Sequence, residues 1–478
     1  MNINFQIDNE KFRYDAYQIV KIFYPYDEIT FGKDNPDYRI GIRDDKISIV
    51  HADAYWEYPL NENKSIKEQL KTAVYQYFSG ILGINHPWGT LVGIRPTKIA
   101  ALLIEQGLNK EEIISFYNEH YLTSEEKALL CIEVAQNEKK FLKQDRDKIS
   151  IYVGMPFCPT RCAYCSFASN SIAGRGKLVQ SYLEALKYEI DNMSQYLNEK
   201  GICVQNIYFG GGTPTSVSSE EFKDLMEKIH DAFMTDNDIV EFTVEAGRPD
   251  SINEEKLSAM LEFGVTRISI NPQSMNDETL KKIGRIHTVE DVREKFHLAR
   301  SMGFKNINMD IIVGLPGEGI AEVENTCREI LKLEPESITV HGMSIKRASR
   351  LHEMLLNNEY TTGGLGIAEL NSMFDMTRDT AESLDMVPYY LYRQKNMIGS
   401  MENIGYARKG YECAYNVKIM EENQVIVALG ADAVTKVVFP EENRIERYAN
   451  LKEVSEYVTR INEQINGKIE LLNTLYGD

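Results

Sequence analysis

Tyr152-Val-Gly-Met-Pro-Phe-Cys158-Pro-Thr-Arg-Cys162-Ala-Tyr-Cys165 is the stretch on which the reading of this chain turns. Its three cysteines stand at C-x3-C-x2-C spacing, directly after a β-like run from Ile149 to Val153. Pro156 and Pro159 oppose regular structure, so the thiols belong to a loop at the end of a strand. Such a loop can wrap three thiolates around one face of an iron–sulfur cube. Four protein ligands would complete a cube that only carries electrons, whereas three leave one iron open to a small molecule. Two other readings stand beside this one: three unrelated thiols, or a zinc site. Zinc calls for a further Cys or His at short spacing, and His51, His86 and His230 are remote in sequence. The flanking Tyr-x-x-x-Pro-Phe and the Ala-Tyr between the last two cysteines favour the cube.

The chain has 478 residues, too many for one ordinary core, so two or three domains are expected. With 43% hydrophobic and 26% charged residues, its composition is that of a globular protein. A formal net charge of −19 speaks against a nucleic-acid partner, because phosphate binding wants a basic face. No apolar run reaches the length needed to span a membrane. The first residues show no basic segment leading into an apolar one, and a cytoplasmic enzyme is the simplest expectation. Seven cysteines in so long a chain do not make a disulfide scaffold. Cys131, Cys203, Cys327 and Cys413 lie among apolar neighbours and are expected as small buried residues.

Residues 1–145 read as a separate α+β unit. Asn4–Ile7, Tyr38–Ile42 and Lys46–His51 are short strands, and Ser65 starts a helix with Ala73, Val74, Tyr77, Phe78 and Ile81 on one face. Pro87 to Lys98 mixes turn residues with one Trp and two cations, and helical segments follow to residue 142. From Ile149 a strand–helix alternation repeats. Its strands are Ile149–Val153, Val204–Phe209, Val240–Glu245, Arg267–Asn271, Asn306–Val313 and Ser337–His341; its helices cover 178–198, 219–234, 254–263, 276–300 and 320–332. Ile- and Val-rich strands are expected where both faces are covered. Six β/α units in succession predict a parallel sheet with right-handed crossovers, curved into a partial (β/α)6 barrel over residues 146–350. Beyond 350 the alternation fades into a smaller C-terminal domain, 351–478, expected to cover the site; a helix at 366–384, Val387-Pro-Tyr-Tyr-Leu-Tyr-Arg-Gln-Lys395 and a last helix at 451–475 fall in it.

In such folds ligands collect at the C-terminal ends of the strands. Gly210-Gly211-Gly212-Thr213-Pro214 follows the second strand directly, and glycines let a backbone approach a ligand closely. A tight structural turn is the other reading of that run. Glu245, Gln273 and Asp310 stand at successive strand ends. One such carboxylate alone is usually a cap or a solvated group; three polar groups around a cysteine loop make a ligand-binding rim. Arg285, in Ile-Gly-Arg-Ile-His-Thr, has a guanidinium suited to a carboxylate, or to a salt bridge with a neighbouring helix.

At these residues the chain resembles the radical S-adenosylmethionine (SAM) superfamily, whose signature is C-x3-C-x-aromatic-C. More narrowly it is similar to the oxygen-independent coproporphyrinogen III oxidase family. Tyr-x-x-x-Pro-Phe-Cys, Gly-Gly-Gly-Thr-Pro-Thr, Val-Glu-Ala, the glutamine strand end, Gly-Arg-x-His and Asp-x-x-x-Gly-Leu-Pro occur in that family's order between residues 147 and 440. Leu-Val-Gly-Ile-Arg-Pro-Thr-Lys and Tyr-Tyr-Leu-Tyr-Arg-Gln-Lys-Asn look like its HemZ-type branch. The resemblance implies a [4Fe-4S] cluster on Cys158, Cys162 and Cys165, whose open iron chelates SAM and whose electron cleaves it to methionine and a 5′-deoxyadenosyl radical. It implies SAM contacts from Tyr152, Tyr164, Gly211, Gly212, Thr213, Glu245, Gln273, Arg285 and Asp310, with Tyr152 also in the catalytic set. It further implies a tetrapyrrole substrate and a reducing electron donor such as flavodoxin or ferredoxin.

The implied reaction is oxidative decarboxylation of two propionates of coproporphyrinogen III to vinyls, giving protoporphyrinogen IX. A substrate with four carboxylates wants cations, and Arg161, Arg248, Arg347, Arg350, Arg393 and Lys395 are candidates. Arg393, beside Tyr389, Tyr390 and Tyr392, is the one placed nearest an aromatic wall, with a surface strand as the other reading. Two departures from the main oxidase stand out: Gly154 replaces a His, and Phe167 replaces a further Cys. The related haem chaperones carry His-Asn-x-x-Tyr-Trp where this chain has Tyr415-Asn416-Val-Lys-Ile-Met420. Haem binding or delivery, and an anaerobic radical methyltransferase that opens haem, are the competing expectations.

Overall fold

The computed structural model describes residues 2–143, 145–167, 169–357 and 365–477. Its main sheet contains the six expected strands side by side and in sequence order: β1 (Lys148–Met155), β2 (Cys203–Gly211), β3 (Glu241–Glu245), β4 (Arg267–Ser269), β5 (Ile307–Val313) and β6 (Ser337–Gly342). Every neighbouring pair among them is parallel. The crossovers carry α1 (Gly176–Glu199), α2 (Ser219–Phe233), α3 (Glu254–Glu262), α4 (Val289–Met302) and α5 (Ile320–Leu333). This is the partial (β/α)6 barrel. Ile149, Ile151, Val153, Ile207, Phe209, Phe242, Val244, Ile268, Ile307, Met309, Ile338 and Val340 are all within a few per cent of full burial, as strands covered on both faces require.

The span 276–300, expected as one helix, is two. Asp277–Lys282 ends before Gly284, whose φ of +78° is left-handed, and α4 restarts at a capping box between Thr288 and Asp291. The break exists because this segment lies against the cysteine loop: the Ala163 amide donates to Ile283 O at 2.9 Å and Thr160 Oγ1 to Gly284 O at 3.1 Å. Gly284 and the Thr288–Asp291 capping box are local signals for the same break.

Strands added to either edge extend the sheet. Asn403–Arg408 and Met386–Tyr392 follow β6 antiparallel; Ile426–Leu429 pairs parallel with β1, and Val434–Phe439 and Arg444–Ala449 follow it. Between them a helix, Ala414–Glu421, packs against β2 at the barrel floor. Glu241, at the start of β3, caps it from outside, accepting from the Ala414 amide at 2.6 Å and Cys413 Sγ at 3.1 Å. The last helix, expected over 451–475, breaks at Arg460 into Val454–Thr459 and Ile461–Tyr476.

The N-terminal sheet has five strands in the order Glu28–Phe31, Asn2–Ile7, Tyr38–Ile42, Lys46–His51, Ala54–Pro59, against helices Arg13–Phe23 and Ile66–Leu82. The sequence reading does not include its first helix, although Ala16, Ile19 and Val20 are buried at helical spacing, nor its strands Glu28–Phe31 and Ala54–Pro59. Ser65 caps Ile66–Leu82 as its sequence suggests, but Ile81 is 51% exposed and lies off the buried face. For the chain as a whole we propose the three-part division 1–145, 146–350 and 351–478, in which Ile3 to Phe78 have a core of their own and the segment from Trp88 to Ala135 docks the first part onto the core of the barrel. Among the described residues no helix is long and apolar enough to cross a membrane.

Candidate active site

Five barrel strands each carry a partly open polar side chain between buried neighbours: Tyr152 on β1, Tyr208 on β2, Glu245 at the end of β3, Asp310 midway along β5 and His341 near the end of β6. Tyr152 and Tyr208 are register partners, and a third ring, Tyr415 from the floor helix, stacks on Tyr208 at 4.5 Å. Tyrosines thus fill the lower barrel, where Tyr389 and Tyr390 are also buried. The opening lies above them.

The cysteine loop closes over β1 and β2. Gly212 N donates to Met155 O at 2.6 Å and Thr213 N to Phe157 O at 2.8 Å, while Thr213 Oγ1 donates to Cys158 Sγ at 3.4 Å. A Cβ on Gly212 would stand 2.6 Å from Phe157 O and 3.0 Å from Cys158 Sγ, and one on Gly211, at φ +104°, would stand 2.9 Å from Met155 O. Only glycine lets the two loops lie this close. The amides of Gly212 and Thr213 are therefore committed to the cysteine loop.

Cys158, Cys162 and Cys165 are free thiols. Burial pushes the Cys158 thiol up to about 11, against the hydrogen bond from Thr213; iron bound there would displace the proton. Among the described residues no three His, Cys, Asp or Glu converge as a single metal ion demands. Cys162 and Cys165 lie close enough to act on Cys158 electrostatically, and three thiols on one loop suit a cube, whose thiolates attach to separate irons. The donor set therefore fits an iron–sulfur cluster.

On the far side of the mouth, Glu245 accepts from the Tyr208 hydroxyl, and burial pushes its carboxyl up to about 7, Asp310's charge adding to the effect. Asp310 shifts the other way. Burial raises it, but the His341 imidazole, 3.7 Å away, and Asn308 Nδ2, at 2.7 Å, outweigh that and hold it below its ordinary value. Asn271 locks Asp310 from both sides, donating to its carboxylate at 2.8 Å and accepting from its amide at 3.1 Å. Gln273 sits at a left-handed φ of +66°, bonded to β5 through its backbone, with its side-chain oxygen buried and unpartnered. An acceptor left in that state is suited to a ligand's donor. Arg285 donates to Asn271 O at 2.6 Å, Gly247 O at 3.2 Å and Tyr164 Oη at 3.3 Å, which ties the Gly-Arg-x-His segment to the cysteine loop.

Two of the six candidate substrate cations are excluded by their surroundings. Arg393 is 5% exposed and faces inward: it donates to Leu91 O, to Ser400 O at 2.5 Å and to Ser400 Oγ at 2.7 Å, over the Trp88 ring at 4.8 Å. It clasps the Pro87–Lys98 segment to the C-terminal strands and presents no charge to the mouth. Arg248 is 3% exposed and forked onto Asp250. Arg161, Arg347, Arg350 and Lys395 remain exposed. The sequence reading also passed over Tyr208, Asn271 and His341. The rule that ligands gather at strand ends would have reached His341 and Asn271; Tyr208 shows only as the neighbour of Tyr152 across the ladder.

The sequence profile of the Radical SAM superfamily matches residues 152–330. The chain is 38% identical to the oxygen-independent coproporphyrinogen-III oxidase-like protein HemZ of Bacillus subtilis, covering 98% of this chain and 97% of that one. It is 36% identical to the heme chaperone HemW of Bacillus subtilis over 43% of this chain and 53% of HemW. Among solved structures, coproporphyrinogen III oxidase (HemN) from Escherichia coli aligns with a TM-score of 0.54 at 20% identity, over 68% of this chain and 72% of that one, a likeness of fold. The chain therefore belongs to the radical SAM superfamily, in its HemZ-type branch, and a [4Fe-4S] cluster and S-adenosylmethionine are its cofactors.

Proposed function

We propose that this protein is an oxygen-independent coproporphyrinogen III dehydrogenase, converting two propionates to vinyls and giving protoporphyrinogen IX. The observation that carries the reading is a basic rim on a chain of net charge −19. Arg161 of the cysteine loop donates to Ala348 O at 2.8 Å, so the segment that carries Lys346, Arg347 and Arg350 lies against that loop. The Leu351 amide fixes the two loops together by donating to Ala163 O at 2.8 Å. Exposed guanidinium groups in that position suit a polycarboxylate. The near full-length likeness to a coproporphyrinogen-oxidase-like protein supports the same reading.

In this proposal Cys158, Cys162 and Cys165 hold the cluster, and Tyr152, Tyr164, Gly211, Gly212, Thr213, Glu245, Gln273, Arg285 and Asp310 surround SAM. Bound together, the two cofactors supply one electron and a 5′-deoxyadenosyl radical. Glu245, Asp310 and Gln273 offer acceptors to SAM's hydroxyls and ammonium, and the tyrosine floor keeps water from the reacting centre. Each propionate loses a hydrogen atom, which ends in 5′-deoxyadenosine, carbon dioxide, and one electron, which passes to an acceptor.

Asp310→Ala and Glu245→Ala are each expected to weaken SAM binding by about 1.5–3 kcal/mol, roughly ten- to a hundredfold, with iron content unchanged. Because burial lifts Glu245 to about 7, its anionic form dominates only above neutral pH. SAM affinity should therefore fall by roughly tenfold from pH 8 to pH 6 and lose most of that dependence in Glu245→Gln. Equilibrium binding measured anaerobically at the two pH values checks both statements; loss of iron with intact SAM affinity in the alanine variants would misassign these residues.

The substrate is tested by anaerobic incubation of reconstituted protein with coproporphyrinogen III and with haem, followed by mass analysis. Loss of two carbon dioxide units from coproporphyrinogen is the expected result; a methylated or linear product from haem would overturn it. Haem delivery is supported by likeness to the heme chaperone. Against it, Tyr415 to Met420 lies in the floor helix, with Tyr415 and Val417 buried in the barrel core. Unaltered haem, bound tightly while coproporphyrinogen is untouched, would favour delivery.

A further inference from the structure

The three cysteines differ in what donates to their sulfurs. Cys158 receives the Thr213 hydroxyl at 3.4 Å and Cys165 faces the Ser169 hydroxyl at 3.6 Å, both neutral. Cys162 Sγ instead faces a buried guanidinium, Nη1 of Arg248, at 3.8 Å. Every other donor of that side chain is fixed. Nη1 also donates to Thr160 O at 3.1 Å and Nη2 to Thr160 Oγ1 at 3.0 Å, so the same group grips the loop between the first two cysteines. Asp250 clamps it from behind, Nε to Oδ1 at 3.0 Å and Nη2 to Oδ2 at 3.1 Å, and His287 backs Asp250 at 3.4 Å. Arg285, bonded to the carbonyls of Asn271 and Gly247, also acts on Cys162 by charge and hydrogen bond, so the contribution of Arg248 is read as the change its removal makes beside Arg285.

We infer that Arg248 is a positioning residue that sets the reduction potential of the cluster through Cys162, an inference that rests on the cluster reading of the cysteine loop. Reduction adds one negative charge to the cluster and its thiolates. A cation held against one sulfur, in surroundings that screen it poorly, favours the form with more negative charge. Hydrogen bonds to sulfur and net charge are the terms by which a protein moves such a potential. The electron comes from a low-potential external reductant, and no proton accompanies it, because a guanidinium stays protonated throughout. Asp250 keeps the guanidinium aimed and offsets part of its charge.

The test is an EPR-monitored redox titration with dithionite on anaerobically reconstituted protein, with iron counted on each sample. Arg248→Gln should keep its iron and move the midpoint negative by at least a roughly tenfold change in the reduction equilibrium, about 59 mV for one electron. Arg248→Lys should move it less, since the charge survives and the fork does not. An unchanged midpoint in iron-replete Arg248→Gln overturns the inference and leaves Arg248 a loop anchor. Should that variant lose its iron, Asp250→Asn decides: freed of its counter-charge, Arg248 should move the midpoint positive, and no movement overturns the inference. A parent protein that takes up no cluster would fail at the cluster reading itself, and the iron count reveals that separately.

Discussion

Cys162→Ala is expected to abolish 5′-deoxyadenosine formation and to lower bound iron well below the about four per chain that a full cube carries. The residue is 8% exposed, makes no disulfide, and its backbone is held independently of its thiol, the Cys165 amide donating to Cys162 O at 3.2 Å. Alanine therefore removes a sulfur and little else, and the fold should survive. Circular dichroism separates loss of the cluster from loss of structure, and 5′-deoxyadenosine is read by chromatography. Parent-level 5′-deoxyadenosine from the folded variant would refute the ligand assignment.

Lys468→Met should destabilise the protein by about 3–5 kcal/mol, because it leaves a buried carboxylate without its cation. Lys468 and Glu189 are both fully buried and form an ion pair between the C-terminal helix and α1. Glu189 also accepts from the Gly430 amide at 2.7 Å, the Tyr457 hydroxyl at 2.7 Å and Asn450 Nδ2 at 3.0 Å. Gly430 in turn packs on Gly154 at the end of β1, one step from the cysteine loop. The double change Glu189→Gln with Lys468→Met should recover much of the loss, since removing both charges leaves none unpaired. Urea unfolding of the three proteins measures it. A loss below about 1 kcal/mol in Lys468→Met would mean that water reaches the pair.

What the sequence made legible follows from how each feature is encoded. The six barrel strands are short runs of Ile and Val buried on both faces, and the cysteine, glycine and carboxylate motifs sit directly after them, so order and approximate boundaries could be read. The edge strands Glu28–Phe31 and Ala54–Pro59 have no fully buried residue and so no core face to read, whereas the N-terminal helix Arg13–Phe23 does bury Ala16, Ile19 and Val20 at helical spacing and could have been found. Side-chain direction was the harder question. Nothing local distinguishes Arg393, aimed at the Leu91 carbonyl three hundred residues earlier, from Arg161 at the surface. Arg248 lies in Gly-Arg-Pro-Asp, which reads as a turn; its approach to Cys162 comes from the packing of the β3 loop against the β1 loop. The filling of the barrel floor by Tyr208 and Tyr415 likewise depends on a helix capped from β3, a contact across 173 residues.

The central claim, that this site takes hydrogen from a propionate side chain, is tested most directly with coproporphyrinogen III deuterated at the propionate β-carbons. Anaerobic turnover with SAM and reductant should give protoporphyrinogen IX together with 5′-deoxyadenosine that carries the deuterium. Cluster-replete protein that releases only unlabelled 5′-deoxyadenosine, with the four propionates intact, would contradict it.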